Sequence, residues 1–182
     1  MRVVFFDIDN TVEETDETII RLALKEVLSE EVVSKAVSLL CERGEEALMA
    51  YLLGQGVSDS VNAIGGWLKF TRSLPLDSIT PVPYVLEYIH YLRSSGIEVR
   101  FITASSLERA VTKLYQVGLK ESADNIIVQC VERGKKAESL LYFARQQGLS
   151  PEQVSIIGDD HIEDVALPYE LGFSTAWRRR KR

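Results

Sequence analysis

Only two cysteines, Cys41 and Cys130, and two histidines, His90 and His161, occur in the 182 residues. The cysteines lie far apart, with no histidine at ligand spacing. That argues against a zinc site or a disulfide framework and fits a reducing cytoplasm. No apolar run approaches the ~20 residues that a bilayer span requires, so no membrane segment is expected. A basic stretch followed by an apolar one, the mark of an export signal, is missing near Met1. Net positive charge is confined to the end of the chain. The last five residues, Arg178 to Arg182, are all basic, and taking their +5 from the formal −6 leaves −11 on residues 1–177. An acidic body is a poor nucleic-acid surface, and the tail, without aromatic or glycine interleaving, reads as a solvated terminus.

Five short runs rich in Val, Ile and Phe are present: Val3 to Ile8, Val99 to Thr103, Asn125 to Cys130, Val154 to Ile157 and Phe173 to Trp177. Nearly uninterrupted apolar runs of this length are strands buried on both faces of a parallel sheet. Helical patterns separate the last four. Ser105 with Glu108 predicts a capping box opening a helix through about Tyr115. Lys136 to Gln147 is a second helix, closed by Gly148. Ser150, Pro151 and Gln153 predict a capped turn, and Val165 to Leu171 a last helix ending at Gly172. Alternating strand and helix predicts an α/β fold, a doubly wound, Rossmann-like parallel sheet of five main strands with ligands at its carboxyl ends.

Residues 15–79 break that rhythm. Ile20, Leu24 and Val27, then Val33, Val37 and Leu40, fall at helical spacing, and Ala47 to Leu53 and Val61 to Phe70 suggest further helices. An all-helical domain, 15–79, is expected as an insertion in a catalytic core formed by 1–14 and 80–182. The sheet part resumes through a helix from Tyr84 to Arg93.

The first strand ends in Asp7-Ile8-Asp9-Asn10-Thr11, two carboxylates one residue apart. Like charges at that spacing cost free energy unless a cation sits between them or a proton is shared. In the expected topology Asp159, Asp160 and Asp164 gather at the same edge, with Thr103 ending the second strand. Such a carboxylate cluster suits an oxygen-preferring divalent cation such as Mg²⁺. Lys135 and Lys136 stand at a helix start, unfavourable for a cation unless an anion faces them. A metal, an ammonium group and carboxylates together suggest a phosphate substrate.

The order of these motifs resembles the haloacid dehalogenase superfamily, specifically its phosphatase-type members. "DIDNT" matches that family's DxDxT motif, Thr103 its second, Lys136 its third and "GDDHIED" the GDxxxxD form of its fourth. The helical insertion has the position of that family's cap. The resemblance implies Asp7 as nucleophile forming an aspartyl-phosphate, and Asp9 as the acid and base that serves the leaving group and then water. It implies Mg²⁺ on Asp7, the Asp9 carbonyl and Asp159, with Asp164 holding metal waters. Asp160 is either a further holder of metal waters or a solvated loop residue. Thr103, the neighbouring Ala104 and Lys136 would bind the phosphoryl group, with Lys135 as the alternative lysine. An acid at position 9 favours phosphate-ester hydrolysis or a phosphomutase over carbon–halogen cleavage.

The expectation is therefore a cytoplasmic, Mg²⁺-dependent phosphatase acting on a small phosphorylated metabolite. A phosphomutase on the same scaffold is the alternative, and a non-catalytic binding protein ranks last because no motif residue is missing. Glu13 and Glu14 read as surface charge, with substrate contact the alternative, His90 as a surface or packing residue, His161 as solvated, and Asn10 as bracing a turn. Trp67, Lys69, Phe70 and Arg72 read as a helix's packing face and its edge.

Overall fold

The computed structural model describes residues 2–15, 21, 25, 29–54, 79–121, 123–129 and 134–179. Cys130, the stretch Val61 to Phe70, Arg72 and the tail beyond Arg179 lie outside the described residues. The chain divides into two compact units, Met1–Glu14 with Ile79–Arg182, and Thr15–Ser78.

The larger unit is built on β1 (Val3–Asp7), β4 (Glu98–Thr103), β5 (Ile126–Val128), β6 (Val154–Gly158) and β7 (Ser174–Trp177). They form one sheet in the order β5-β4-β1-β6-β7, every neighbouring pair parallel. The five apolar runs are these five strands. β1 is central and wholly buried because its residues alternate between two cores. Val4 and Phe6 join Ile89 and Leu92 of α2 (Val85–Ser94) and Ala110 and Leu114 of α3 (Leu107–Gln116). Val3 and Phe5 join Leu140, Phe143 and Ala144 of α4 (Lys135–Gln146). Phe5 meets Phe143 edge to face with centroids 5.0 Å apart.

The chain runs from β1 to β4 and β5 on one side, then crosses to β6 and β7 on the other. The reversal at β1 opens a crevice beyond the carboxyl ends of β1, β4 and β6, where such sheets gather ligands. Parity fixes which face each site residue takes. Asp7 follows Val3 and Phe5 toward α4, whereas Thr103 follows Phe101 toward α3.

Local structure departs from sequence expectation at several places. The cap of α3 is Ser106, whose hydroxyl accepts from Arg109 N; the Ser105 hydroxyl is engaged by Asp9 instead. A π-helical turn, His161–Ala166, precedes a short α5 (Leu167–Glu170), so the last helix begins earlier than its apolar pattern indicates. Two three-residue strands, β2 (Glu13–Thr15) and β3 (Ile79–Pro81), pair in a small second sheet. Three residues are too few to display a strand period. In the smaller unit α1 runs unbroken over Glu30–Gly54. It fuses two helices expected separately, because Gly44 costs only about 1 kcal/mol inside a helix and no proline interrupts it.

Candidate active site

Asp7 closes β1 and is almost wholly buried. Its Oδ1 accepts from Lys136 Nζ at 2.8 Å and its Oδ2 from the Thr11 hydroxyl at 3.2 Å. Lys136 lies in the first turn of α4, behind Gly134 at φ 81°, a left-handed conformation that glycine adopts freely. Gly134 N donates to both Glu163 carboxylate oxygens at 2.8 and 3.1 Å, tying the start of α4 to the π turn. Lys136 also bonds Asp164, which is fully buried. A cation at a helix start is thus held by two carboxylates that outweigh the dipole. Lys135 points elsewhere and pairs at the surface with Glu138 at 2.8 Å.

Asp164 is seated by the Asp160 N–H, which donates to its Oδ2 at 2.9 Å. The Asp160 side chain caps the turn, accepting from Ile162 N and Glu163 N at 2.8 and 3.0 Å. Asp160 is exposed and lies in the loop before the turn, in keeping with the solvated loop residue, and it adds the cap to that role. Asp159 is fixed through its backbone, where its carbonyl accepts from Trp177 Nε1 at 3.0 Å. Asp7, Asp159 and Asp164 each offer a carboxylate oxygen, and these lie within 4.8 Å of one another.

Gly158 is the reason Asp164 fits. A Cβ at 158 would stand 2.0 Å from Asp164 Oδ2 and 2.1 Å from its Cγ. Gly158→Ala must therefore displace the Asp164 carboxylate, and overpacking of this kind costs about 1–3 kcal/mol. A lowered melting temperature, with weakened Mg²⁺-dependent thermal stabilisation, is the expected result. Differential scanning fluorimetry with and without Mg²⁺ checks it.

Asp9 stands apart from this cluster. Its Oδ2 accepts from the hydroxyls of Thr103 at 3.1 Å and Ser105 at 3.2 Å, and its Oδ1 from Lys113 Nζ. Ser105 N donates to Thr103 Oγ1 at 3.0 Å, so the turn after β4 holds the threonine that holds Asp9. Ala104 is exposed beside Thr103. Lys113 was not legible as a site residue, and Glu13, expected at the surface, is 1 % exposed and paired with Lys113 at 2.6 Å. The available signal was position: Lys113 falls at the buried spacing of α3 set by Ala110, Leu114 and Val117.

The electrostatics answer the question raised by the adjacent carboxylates. Burial pushes the Asp7 carboxyl up to about 7, helped by Asp164 and Asp9 and opposed by Lys136. Burial also raises Asp164, again against Lys136. Lys136 itself is held above its ordinary value, because Asp7 and Asp164 outweigh the burial that would strip its proton. For Asp9, burial pushes up, but Lys113 with the Thr103 hydrogen bond and Arg109 outweighs it and holds the carboxyl below its usual range. Lys113 is raised, since Asp9 and Glu13 overcome its burial. Each of the two neighbouring carboxylates thus has its own ammonium partner, Lys136 for Asp7 and Lys113 for Asp9.

The sequence model of the haloacid dehalogenase-like hydrolases matches residues 4–177. The chain belongs to this family. Among solved structures, a haloacid dehalogenase-like family hydrolase from Streptococcus pneumoniae is 20 % identical, with a TM-score of 0.72 over 95 % of this chain and 82 % of its own. A predicted phosphoglycolate phosphatase from Haemophilus somnus 129pt is 17 % identical, with a TM-score of 0.69 over 95 % and 83 %. A family hydrolase from Deinococcus radiodurans R1, solved with bound phosphate and sodium, is 21 % identical, with a TM-score of 0.64 over 95 % and 78 %. At such identities the likeness establishes the fold. No curated protein matches the chain.

At the carboxyl ends of β1 and β6 the fold gathers an acidic cluster. Three carboxyl groups, Asp7, Asp159 and Asp164, face the Lys136 ammonium, an excess of two negative charges when all three are ionised. Carboxylate oxygens of that number and net charge fit a hard divalent cation. No described helix is long and apolar enough to cross a membrane.

Proposed function

We propose that this hydrolase is a Mg²⁺-dependent phosphatase that cleaves a small phosphorylated metabolite through a phosphoryl group carried on Asp7. The observation that carries the reading is the convergence of Asp7, Asp159, Asp164 and Lys136 at one strand edge, with a second carboxylate, Asp9, held separately by Thr103 and Lys113. A phosphate-bound relative and a predicted phosphoglycolate phosphatase of the same fold support a phosphate ester as substrate.

Asp7, Asp159, Asp164 and the Asp9 carbonyl would hold the ion, which when bound neutralises phosphoryl charge and orients the group for in-line attack. Lys136 uses two of its three N–H donors on Asp7 and Asp164, and the third remains for a phosphoryl oxygen. The Thr103 hydroxyl turns from Asp9 to a second phosphoryl oxygen, beside the Ala104 backbone. An Asp7 oxygen attacks phosphorus while the ester P–O bond breaks. The incoming phosphoryl charge favours the protonated form of Asp9, which donates that proton to the departing alcohol oxygen. Asp9 then takes a proton from water as the water attacks phosphorus, releasing inorganic phosphate and restoring Asp7.

A panel of phosphorylated sugars, nucleotides and short acids, incubated with Mg²⁺ or with a chelator, tests this. At least one member is expected to release inorganic phosphate, and the chelator to abolish release. Conversion of a sugar phosphate to its isomer without net phosphate would assign a phosphomutase. An inert protein across the panel would contradict the reading and favour a binding role.

A further inference from the structure

A lysine and a glutamate, both almost fully buried, meet at the inner end of α3, where the helix otherwise buries Ala110, Leu114 and Val117. Taking two charges out of water is costly, and an apolar pair of similar size is often as stable or more so. Packing therefore does not account for an ionic pair at this place. Its geometry does. The Lys113 ammonium, 2 % exposed, is fixed from behind by Glu13 and reaches Asp9 Oδ1 in front, while the Asp9 side chain keeps 41 % exposure toward the crevice. Among the described residues, the hydrogen bonds to the other Asp9 oxygen, Oδ2, come from the hydroxyls of Thr103 and Ser105.

We propose that Lys113, braced by Glu13, is the positioning residue for the acid and base of the reaction. It grips Asp9 through Oδ1 and so leaves Oδ2 as the oxygen that carries the proton. An ammonium donates only, so an oxygen held by Lys113 stays an acceptor. A hydroxyl both donates and accepts, so Oδ2, still held by Ser105 once Thr103 has turned to the phosphoryl group, can gain or lose a proton without losing that partner. When the ester bond breaks, the proton leaves Asp9 Oδ2 for the alcohol oxygen. When water attacks the phosphoryl group, its proton returns to the same atom. The fixed Oδ1 keeps that atom aimed through both halves of the cycle, and small errors of placement in such transfers are costly. Glu13 contributes by holding the ammonium, since an unbraced lysine would lose one of its two carboxylate partners and much of its fixed geometry.

This inference rests on the phosphatase reading, and a leaving-group series separates the two. Substituted phenyl phosphates keep the shape of the ester nearly constant. p-Nitrophenyl phosphate expels a stable anion that needs no proton, whereas phenyl phosphate expels one that does. Because kcat/KM covers the steps through formation of the phosphorylated enzyme, it reads the proton donation directly. Lys113→Met is expected to lose about 10²–10³ in kcat/KM on phenyl phosphate and under about threefold on p-nitrophenyl phosphate, the signature of lost acid catalysis. Lys113→Arg should recover part of the phenyl phosphate activity.

The single variant takes the ammonium from a buried glutamate and can fold poorly, so Lys113→Met combined with Glu13→Leu removes both charges together. That double variant should regain thermal stability and still fail on phenyl phosphate. Recovery of phenyl phosphate turnover by the double variant, or equal losses on both esters, would overturn the positioning role while leaving the phosphatase reading intact. Absence of turnover by the unaltered protein with Mg²⁺ on both aryl esters and on every member of the metabolite panel would overturn both.

Discussion

Asp7→Asn is expected to abolish phosphate release, with a loss of at least about 10⁴ in kcat, because removing a nucleophile removes the covalent route itself. The fold should survive. An amide keeps an oxygen that can accept from Lys136, and it does not carry the charge that burial opposes. Since burial lifts the Asp7 carboxyl from its ordinary value of 3.8 to about 7, folding favours the protonated form. In metal-free protein that preference contributes stability below the usual carboxylate range and loses it as pH rises through about 7. Above that pH the asparagine variant should therefore melt at or above the temperature of the unaltered protein when no Mg²⁺ is present. Added Mg²⁺ should stabilise the unaltered protein more than the variant, which has lost a ligand. Thermal melts at two pH values with and without Mg²⁺, beside a phosphate-release assay, check both halves. Activity within tenfold of the unaltered protein would contradict the assignment of Asp7.

Lys136→Met should have the largest effect on stability. Asp164 is 0 % and the Asp7 side chain 9 % exposed, and both bond the Lys136 ammonium. Removing one partner of a buried ionic set strands the others, a loss of about 3–5 kcal/mol. A divalent cation can restore part of the missing charge, so Mg²⁺ should raise the melting temperature of this variant more than that of the unaltered protein. Turnover should remain lost even when Mg²⁺ restores stability, because the phosphoryl oxygen has no ammonium donor. Lys135→Met, at a surface pair with Glu138, serves as the contrast and should leave both stability and turnover close to those of the unaltered protein. An unchanged melting temperature for Lys136→Met would contradict the geometry of the site.

The sheet was legible because its central strand β1 is wholly buried and β4 and β6 largely so, which gives nearly unbroken runs of Val, Ile and Phe. The edge strand β7 is mostly exposed, contrary to the expectation of burial on both faces. The apolar runs located Asp7 and Thr103 at strand ends, and a helix start located the pair Lys135 and Lys136, of which the family resemblance favoured Lys136. The choice between Lys135 and Lys136 lies beyond a sequence pattern, since adjacent helical residues differ only in the direction they face. In the structure Lys136 meets Asp7 and Asp164, and Lys135 meets solvent and Glu138. Ser105 carries a glutamate three residues on and looks like a cap. Tertiary contact overrides the pattern, because Asp9 takes the Ser105 hydroxyl and Ser106 caps α3.

Lys113 and Glu13 were illegible for a different reason. A charged residue on an amphipathic helix, or just beyond a strand, is normally solvated. Only the fold reveals that these two, 100 positions apart, are buried against each other and against Asp9. Arg178 is a similar case. Read as part of a frayed basic terminus, it extends β7 by bonding Gly158 O through its backbone at 2.8 Å, and its guanidinium holds the Asn10 carbonyl and Glu14. Asn10 accordingly sits at φ 58°, a left-handed position that asparagine tolerates and that turns its carbonyl toward that arginine.

The most direct measurement is the site of phosphorylation in protein quenched with acid during turnover of a phosphate ester with Mg²⁺, read by mass spectrometry of its peptides. A phosphoryl group on the peptide ending β1, lost on treatment with hydroxylamine and missing from Asp7→Asn, is the predicted result. Turnover with no phosphorylated peptide, or with the group on any residue other than Asp7, would contradict the account.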